Sequence, residues 1–286
     1  MHCLLKYILI LLFPSLFLVS VLLLPHHELI DIHEDCYIYK VKRSFQNEKI
    51  CLRFTRLSDD SQSFQGCVYS DYNNKELACN YTKLTLASLY FSPKPKNILI
   101  LGLGVGTLPR TFSEIFPNSR IDVVDINKNL NYVNQKYFNF NINDYSNIFF
   151  HLADGFDFVK NTKIENKKYD LIINDMFGED YIPKKFLTNE YVNDLKSIIS
   201  DDGIVVYNSF TKSKTRELED KLINDNFGKH YVYLDNNNKI IITNKDNEKI
   251  SMKKIDKNDQ NFSYFKEILI KYGVNGEKLI EEIKYN

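Results

Sequence analysis

Three glycines and an aspartate occupy positions that suit the binding of a nucleotide or nucleoside. Gly102, Gly104 and Gly106 lie in a turn that follows an apolar segment and precedes a predicted helix. Glycine lets the chain turn sharply and lets a ligand touch the backbone, while N–H groups at a helix start point at that ligand. Asp125 ends the next predicted strand about 20 residues later, where a carboxylate can accept both ribose hydroxyls.

Two further aspartates follow the third and fourth predicted strands. Asp154 could accept a hydrogen bond from an adenine amino group, or it could cap the helix that begins at Gly155. Asp175 directly follows the fourth strand. The carboxyl ends of parallel strands line the ligand crevice of such sheets, so we expect these residues and the glycines to face one cleft.

Alternating strands and helices position these residues. Five predicted strands are separated by predicted helices, and they cover residues 97–101, 120–125, 146–151, 169–174 and 203–208. This alternation predicts an α/β fold whose parallel sheet has right-handed crossovers. Residues 230–234 and 239–243 flank a run of turn-forming residues and predict a closing antiparallel hairpin. Such a hairpin is typical of the Rossmann-like sheet of class I S-adenosylmethionine-dependent transferases.

The predicted domains follow from composition. Residues 30–92 are predicted to form a small β-rich lobe, with a hairpin near its start and a helix over residues 80–91. Prolines then mark a boundary. Residues 93–245 are predicted to form the Rossmann-like cofactor-binding domain. Residues 246–286 are predicted to form a helical tail with weak amphipathic helices at 262–272 and 276–285.

The first 25 residues are predicted to form a transmembrane anchor. Residues 7–24 carry no charge, and at 1.5 Å per residue they would cover about 27 Å, close to the bilayer core of about 30 Å. Lys6 precedes this segment and acidic residues follow it, which places the N-terminus in the cytoplasm and the rest outside, in the periplasm. A cleaved signal peptide and a chance apolar tail are the alternatives, and a cytoplasm-facing domain is not excluded.

The cysteine pattern is consistent with export. Cys36, Cys51, Cys67 and Cys79 are clustered, but none forms the C-x-x-C pair of a zinc site. We therefore predict no metal and at least one disulfide, with three pairings open. Four unpaired, small hydrophobic side chains are the alternative interpretation.

Composition narrows the function further. The chain has 37 Lys and Arg against 37 Asp and Glu, which argues against nucleic acid as the main partner. Its 44% hydrophobic content excludes general disorder. No P-loop and no G-x-S-x-G motif is present, which argues against P-loop nucleotide hydrolysis and an α/β-hydrolase.

Several segments together resemble the spermidine synthase family of aminopropyltransferases over about residues 36–244. They are ILILGLGVGTLPR, IDVVDIN, FFHLADGFDFV and KYDLIINDMFGEDYIPKKFLTNEYVNDLKSIISDDGIVVYNSF. The earlier segments QGC, which begins at Gln65, and YTK, which begins at Tyr81, resemble elements of the bacterial membrane-associated and methyltransferase-like branch.

This resemblance implies a co-substrate, decarboxylated S-adenosylmethionine or S-adenosylmethionine itself, bound at the glycine turn. Asp125 would hold its ribose and Asp154 its adenine, and Gly155 would also belong to the cofactor-binding residues. Asp175 would be the catalytic residue that attracts the acceptor amine and accepts its proton, with Tyr181 helping to position that amine. The acceptor would be a small amine or polyamine such as putrescine, and the family generally assembles as dimers or larger oligomers. Gln65 and Tyr81 would contribute to substrate binding.

Two positions depart from the family pattern. Val105 stands inside the glycine turn where the family has an aspartate that grips the amine of the aminopropyl group. Gly178 stands where the family has a second aspartate, although Glu179 and Asp180 are adjacent. A methyltransferase of the same fold and a non-catalytic, membrane-tethered binding relative are therefore the alternatives to an aminopropyltransferase.

Overall fold

The computed structural model describes nine stretches of the chain: residues 26–43, 45–57, 64–92, 94–176, 181–227, 230–234, 237–245, 267–274 and 284–285. The predicted anchor at residues 1–25 lies outside these ranges, and so do Gly178, Glu179 and Asp180. Within the described ranges, no helix has the length and apolar character that crossing a membrane requires.

The N-terminal lobe is one antiparallel sheet of four strands in the order β1-β2-β3-β4. Its strands are β1 (His26–His33), β2 (Cys36–Lys42), β3 (Lys49–Arg53) and β4 (Gly66–Tyr69). The predicted hairpin is confirmed as β2 and β3. Strand β1 begins before the predicted lobe boundary at residue 30, directly after the apolar segment.

A disulfide crosslinks this lobe. Cys51 and Cys67 are direct partners in β3 and β4, and their sulfurs are bonded. The prediction of at least one disulfide is therefore confirmed, and the structure selects one pairing. Cys36 and Cys79 are free thiols.

The larger sheet has eight strands in the order β12-β10-β11-β9-β8-β5-β6-β7. They are β5 (Asn97–Leu101), β6 (Arg120–Asp125), β7 (Ile148–Leu152), β8 (Tyr169–Asn174), β9 (Ile199–Phe210), β10 (Tyr231–Leu234), β11 (Asn238–Thr243) and β12 (Lys284–Tyr285). Strands β5 to β9 pair in parallel, whereas β10 and β11 form the predicted antiparallel hairpin. The Rossmann-like fold with its closing hairpin is thus confirmed.

Helices pack against both faces of this sheet, and the central strands β5 and β8 are buried except at Asn97 and Asp170. They are α1 (Asn80–Thr85), α2 (Thr107–Ile115), α3 (Leu130–Tyr137), α4 (Gly155–Ile164), α5 (Asn189–Ser197) and α6 (Arg216–Phe227). The predicted helix at 80–91 is α1 followed by a 3₁₀ helix, Leu86–Tyr90. Pro109 lies in the first turn of α2, where its missing N–H leaves no helical hydrogen bond unmade.

The C-terminal tail corrects one prediction. Residues 267–271 are helical, inside the predicted helix at 262–272. Lys284–Tyr285, however, is a strand that pairs with β10 at the sheet edge, so the helix predicted over 276–285 is wrong there. The weak amphipathic pattern did not show that an edge strand was open for pairing.

Candidate active site

The glycine turn lies where the strand order reverses, between β5 and β8, and its three glycines have different surroundings. All three have positive φ angles, which glycine adopts without strain. A Cβ on Gly102 would lie 2.3 Å from the Asp175 carbonyl oxygen, and one on Gly106 would lie 2.2 Å from the Phe140 ring. A Cβ on Gly104 would meet no heavy atom within 4 Å. Gly104 is therefore the glycine that leaves space for a ligand.

Asp125 holds the glycine turn in place. Its carboxylate accepts hydrogen bonds of 2.8 Å from the backbone N–H groups of Leu103 and Asn127. Burial raises the pKa of Asp125, while these backbone N–H groups lower it. Each carboxylate oxygen has a further lone pair for a hydroxyl donor. The side chain is thus an organised acceptor rather than a freely solvated strand end.

Asp154 caps helix α4, which is the alternative role that the sequence allowed for it. Its Oδ1 accepts the Phe156 N–H at 2.9 Å and so caps α4. Its Oδ2 is paired with the Lys185 ammonium. Asp154 still lines the cavity, but both of its oxygens are engaged by the protein. A role toward adenine remains a prediction.

Asp175 is the carboxylate best suited to accept a proton. It lies in the cleft directly after β8, and its Oδ1 accepts a 2.7 Å hydrogen bond from the side-chain amide of Asn208. Burial raises the pKa of Asp175 to about 7, and the charge of Asp125 adds to the rise, whereas the Asn208 hydrogen bond opposes it. A general base is most effective when its pKa lies near the working pH.

Two residues of the lobe, Gln65 and Tyr81, line the same cavity as Asp175. The Tyr81 hydroxyl donates to the Gln65 carbonyl at 3.5 Å, which joins the start of α1 to the start of β4. Burial raises the pKa of the Tyr81 phenol well above its ordinary value, and the Asp175 charge adds to the rise. Tyr81 is therefore a neutral hydrogen-bonding group in the cleft.

Val105 does not extend into the cleft. Its side chain is buried, and a Cβ on Gly66 would lie 2.8 Å from Val105 Cγ2. The valine therefore packs the glycine turn against β4 of the lobe. No carboxylate at position 105 is available to bind an amine.

One cavity of about 1110 Å³ joins these groups, and of the predicted site residues it is lined by Gln65, Tyr81, Gly102, Gly104, Asp125, Asp154, Gly155 and Asp175. Gly106 and Tyr181 are not part of its lining. Gly106 is instead turned toward the Phe140 ring, and Tyr181 is 45% exposed. The stretch between Asp175 and Tyr181 is largely outside the described residues, so a role of Tyr181 in positioning an amine stays a prediction.

Sequence reasoning missed several cavity residues. Asn208 lies at the end of the fifth predicted strand, so the strand-end rule that identified Asp175 would also have identified Asn208. Lys185 carried no such signal, because it lies in a loop whose path depends on tertiary contacts. Among the described residues, no group of three His, Cys, Asp or Glu side chains is arranged to hold a metal ion.

Residues 81–233 match the sequence model of the Spermine/spermidine synthase domain. The chain belongs to this family. The family resemblance seen in the motifs is thereby confirmed.

Relatives of this spermidine synthase-family protein are named for two different activities, aminopropyl transfer and methyl transfer. A polyamine aminopropyltransferase of Vibrio vulnificus (strain CMCP6) is 33% identical over 201 residues, which are 70% of this chain and 66% of the relative. An eEF1A lysine and N-terminal methyltransferase of Mus musculus is 29% identical over 167 residues, 54% of this chain and 24% of the relative. The chain thus spans slightly less than two thirds of the first relative and about a quarter of the second.

A solved structure shares the fold. Human methyltransferase-like protein 13 in complex with SAH superposes with a TM-score of 0.55 at 22% sequence identity, and the match covers 68% of this chain and 92% of that one. The methyltransferase/spermidine synthase fold is therefore common to this protein and to a protein solved with an adenosyl ligand.

Proposed function

We propose that this protein transfers an aminopropyl group from decarboxylated S-adenosylmethionine to a small amine. The observation that carries the proposal is Asp175, a carboxylate in the cleft whose pKa is raised to about 7, next to the turn at which Gly104 leaves space for a ligand. The cavity of about 1110 Å³ is large enough for a nucleoside and an amine together.

The protein's own groups have distinct parts in this reaction. The bound sulfonium supplies an activated carbon. The glycine turn and Asp125 would hold the nucleoside, and Asp175 would attract a protonated amine and accept its proton, since only the neutral amine can attack. Holding the two reactants close together supplies much of the rate enhancement.

Methyl transfer is the second candidate, and one feature of the turn favours it. Val105 is buried against Gly66, so position 105 offers no carboxylate to the amine of an aminopropyl group. The mouse methyltransferase relative is consistent with this candidate. A binding function without catalysis is the third.

The nucleoside released during turnover distinguishes these candidates. Purified full-length protein would be incubated with each donor and, in separate reactions, with putrescine, 4-aminobutyrate or 3-aminopropylphosphate as the acceptor, and the nucleosides separated by chromatography. We expect 5′-methylthioadenosine from the decarboxylated donor. S-adenosylhomocysteine from S-adenosylmethionine would identify a methyltransferase, and donor binding without either product would identify a binding protein.

We also propose that the N-terminal segment tethers the domain to the membrane on its outer side. The charges around residues 7–24 and the Cys51–Cys67 disulfide support this placement. A C-terminal alkaline phosphatase fusion should be active and a green fluorescent protein fusion dark. The opposite pair of results would place the domain in the cytoplasm, where the donor is made.

A further inference from the structure

The cleft continues beyond Asp175 along one face of the β-lobe. His27, Val41 and Lys49 are direct partners in the neighbouring strands β1, β2 and β3, and directly paired residues of a sheet share a face. All three line the cavity, as do the disulfide cysteines. This face, which we call the lobe wall, therefore bounds the cleft opposite the Rossmann-like domain.

The lobe wall carries positive charge. His27, Arg43 and Lys49 all line the cavity, and none of the three forms an ion pair within the described part of the chain. Lys49 Nζ donates to the Ala78 carbonyl at 2.6 Å, which leaves two of its three N–H donors available. Burial lowers the pKa of both His27 and Lys49, and nearby Arg43 lowers it further, so His27 is a neutral hydrogen-bonding group near pH 7 and the positive charge of the wall belongs to Arg43 and Lys49.

The other carboxylates of the cleft lie away from Arg43 and Lys49. Glu34 and Asp35 are in the turn that joins β1 to β2, at the opposite end of these strands from His27. Asp35 accepts hydrogen bonds from the side-chain amides of Asn127 and Asn129, at 2.9 and 3.1 Å. Asp125 is held by backbone N–H groups, and Asp154 by Lys185. A diamine that extends from Asp175 along the lobe wall would bring its second, positively charged nitrogen to Arg43 and Lys49.

The lobe wall also carries apolar groups. Val41 lies between His27 and Lys49 across the sheet, and it lines the cavity together with Phe64 and the Cys51–Cys67 disulfide; we call these groups the apolar strip. Methylene groups bind favourably against such a surface because they leave water.

We propose that the acceptor is an amine that also carries an anionic group, a carboxylate or a phosphate, joined to the nitrogen by a short aliphatic spacer. The anionic group binds His27, Arg43 and Lys49, and the spacer lies on the apolar strip. This inference rests on the proposed transfer from an adenosyl sulfonium.

The transfer step then balances as follows. The acceptor nitrogen gives up a proton to the Asp175 carboxylate and attacks the carbon bound to sulfur. A nitrogen–carbon bond forms, the carbon–sulfur bond breaks, and its electron pair stays on sulfur as a neutral thioether. The anionic group is unchanged and serves to position the nitrogen.

Calorimetry with matched amines tests this proposal. Full-length protein is saturated with 5′-methylthioadenosine and titrated with 4-aminobutyrate, with 3-aminopropylphosphate and with putrescine. We expect at least one anionic amine to bind about tenfold more tightly than putrescine, the factor that corresponds to one charge-assisted hydrogen bond. The comparison of 4-aminobutyrate with 3-aminopropylphosphate shows whether the site prefers a carboxylate or a phosphate.

Variants test whether Arg43 and Lys49 cause the preference for an anionic amine. An Arg43→Gln/Lys49→Gln double variant should lose it, with weaker binding of the anionic amine and unchanged or tighter binding of putrescine. Lys42→Gln is the matched control, because Lys42 is exposed on β2 next to Val41 and does not line the cavity. It should bind all three amines as the parent does.

Three outcomes would overturn the inference: tighter binding of putrescine by the parent, a double variant that keeps the preference, or no measurable binding of any of the three amines. The donor titration is read separately. If 5′-methylthioadenosine, S-adenosylmethionine and S-adenosylhomocysteine all fail to bind, the proposed function itself is contradicted. Donor binding combined with a preference for putrescine contradicts only the acceptor class.

Discussion

The two walls of the cleft differ in how their charges are satisfied. On the Rossmann-like wall, Asp125 accepts two backbone hydrogen bonds and Asp154 caps α4 while it pairs with Lys185. On the lobe wall, Arg43 and Lys49 face the cavity without an ion pair among the described residues. The first wall is an organised backbone cradle, and the second is a charged surface on a crosslinked sheet.

This difference separates two kinds of recognition. A wall whose polar groups are already fixed can bind one constant ligand at little cost in ordering, which suits a nucleoside. A wall with available charges selects its ligand by sign, which suits the variable partner of a transfer reaction. Asp175 lies between the walls, directly after β8, and the lobe residue Tyr81 lies close enough for its pKa to respond to the Asp175 charge.

The largest expected effect is on the turnover rate, and it comes from changing Asp175, which lies between the two walls. Asp175→Asn keeps the shape of the side chain but removes the proton acceptor, so the turnover rate should fall by about 10²–10⁴-fold. Donor affinity, measured by calorimetry, should change little, because the nucleoside is held by the other groups. Asp201→Asn, which changes a fully exposed carboxylate of β9, is the control. Unchanged turnover in Asp175→Asn would show that this aspartate is structural.

Removing the disulfide should affect ligand binding at the lobe wall but not at the Rossmann-like wall. A Cys51→Ala/Cys67→Ala variant loses a crosslink between residues 16 positions apart, which should lower the free energy of unfolding by about 3 kcal/mol in denaturant titrations. Reductant should destabilise the parent but have no further effect on the variant. Acceptor binding should weaken while donor binding is retained. An equal loss of both affinities would mean that the walls do not act separately.

The smallest effects should come from two glycines of the donor wall. Gly106→Ala would place a methyl group against Phe140, so the free energy of unfolding should fall by about 1–3 kcal/mol. Gly104→Ala has open space around it, so it should cost only the backbone strain of a positive φ, about 1 kcal/mol. It should nevertheless weaken donor binding more than Gly106→Ala does. If Gly104→Ala binds the donor as the parent does, the ligand does not approach the turn at Gly104.

The same two walls show what the sequence could predict. Hydrophobic period and chain order were sufficient for the parallel sheet, and the strand-end rule placed Asp125, Asp154 and Asp175 in one cleft. The rule depends only on local pattern, so it needs no tertiary contact. It would also have found Asn208 had it been applied to the fifth strand.

The lobe wall could not be predicted in this way. His27 and Lys49 share a face only because of the register of β1, β2 and β3, and register depends on pairing between separate segments. The pairing of Cys51 with Cys67 depends on the same register. The buried position of Val105 also required the lobe, because its contact with Gly66 joins the glycine turn to the lobe sheet.

The dependence of the rate on pH tests the central claim most directly, because that claim is proton transfer to Asp175. Only the ionised carboxylate can accept a proton, so kcat/KM should rise with pH through an apparent pKa near 7, the value for the free protein. The apparent pKa of kcat should be lower, because the positive sulfonium of the bound donor favours the carboxylate. A kcat/KM with no ionisation near pH 7, or one that Asp175→Asn reproduces unchanged, would contradict the account.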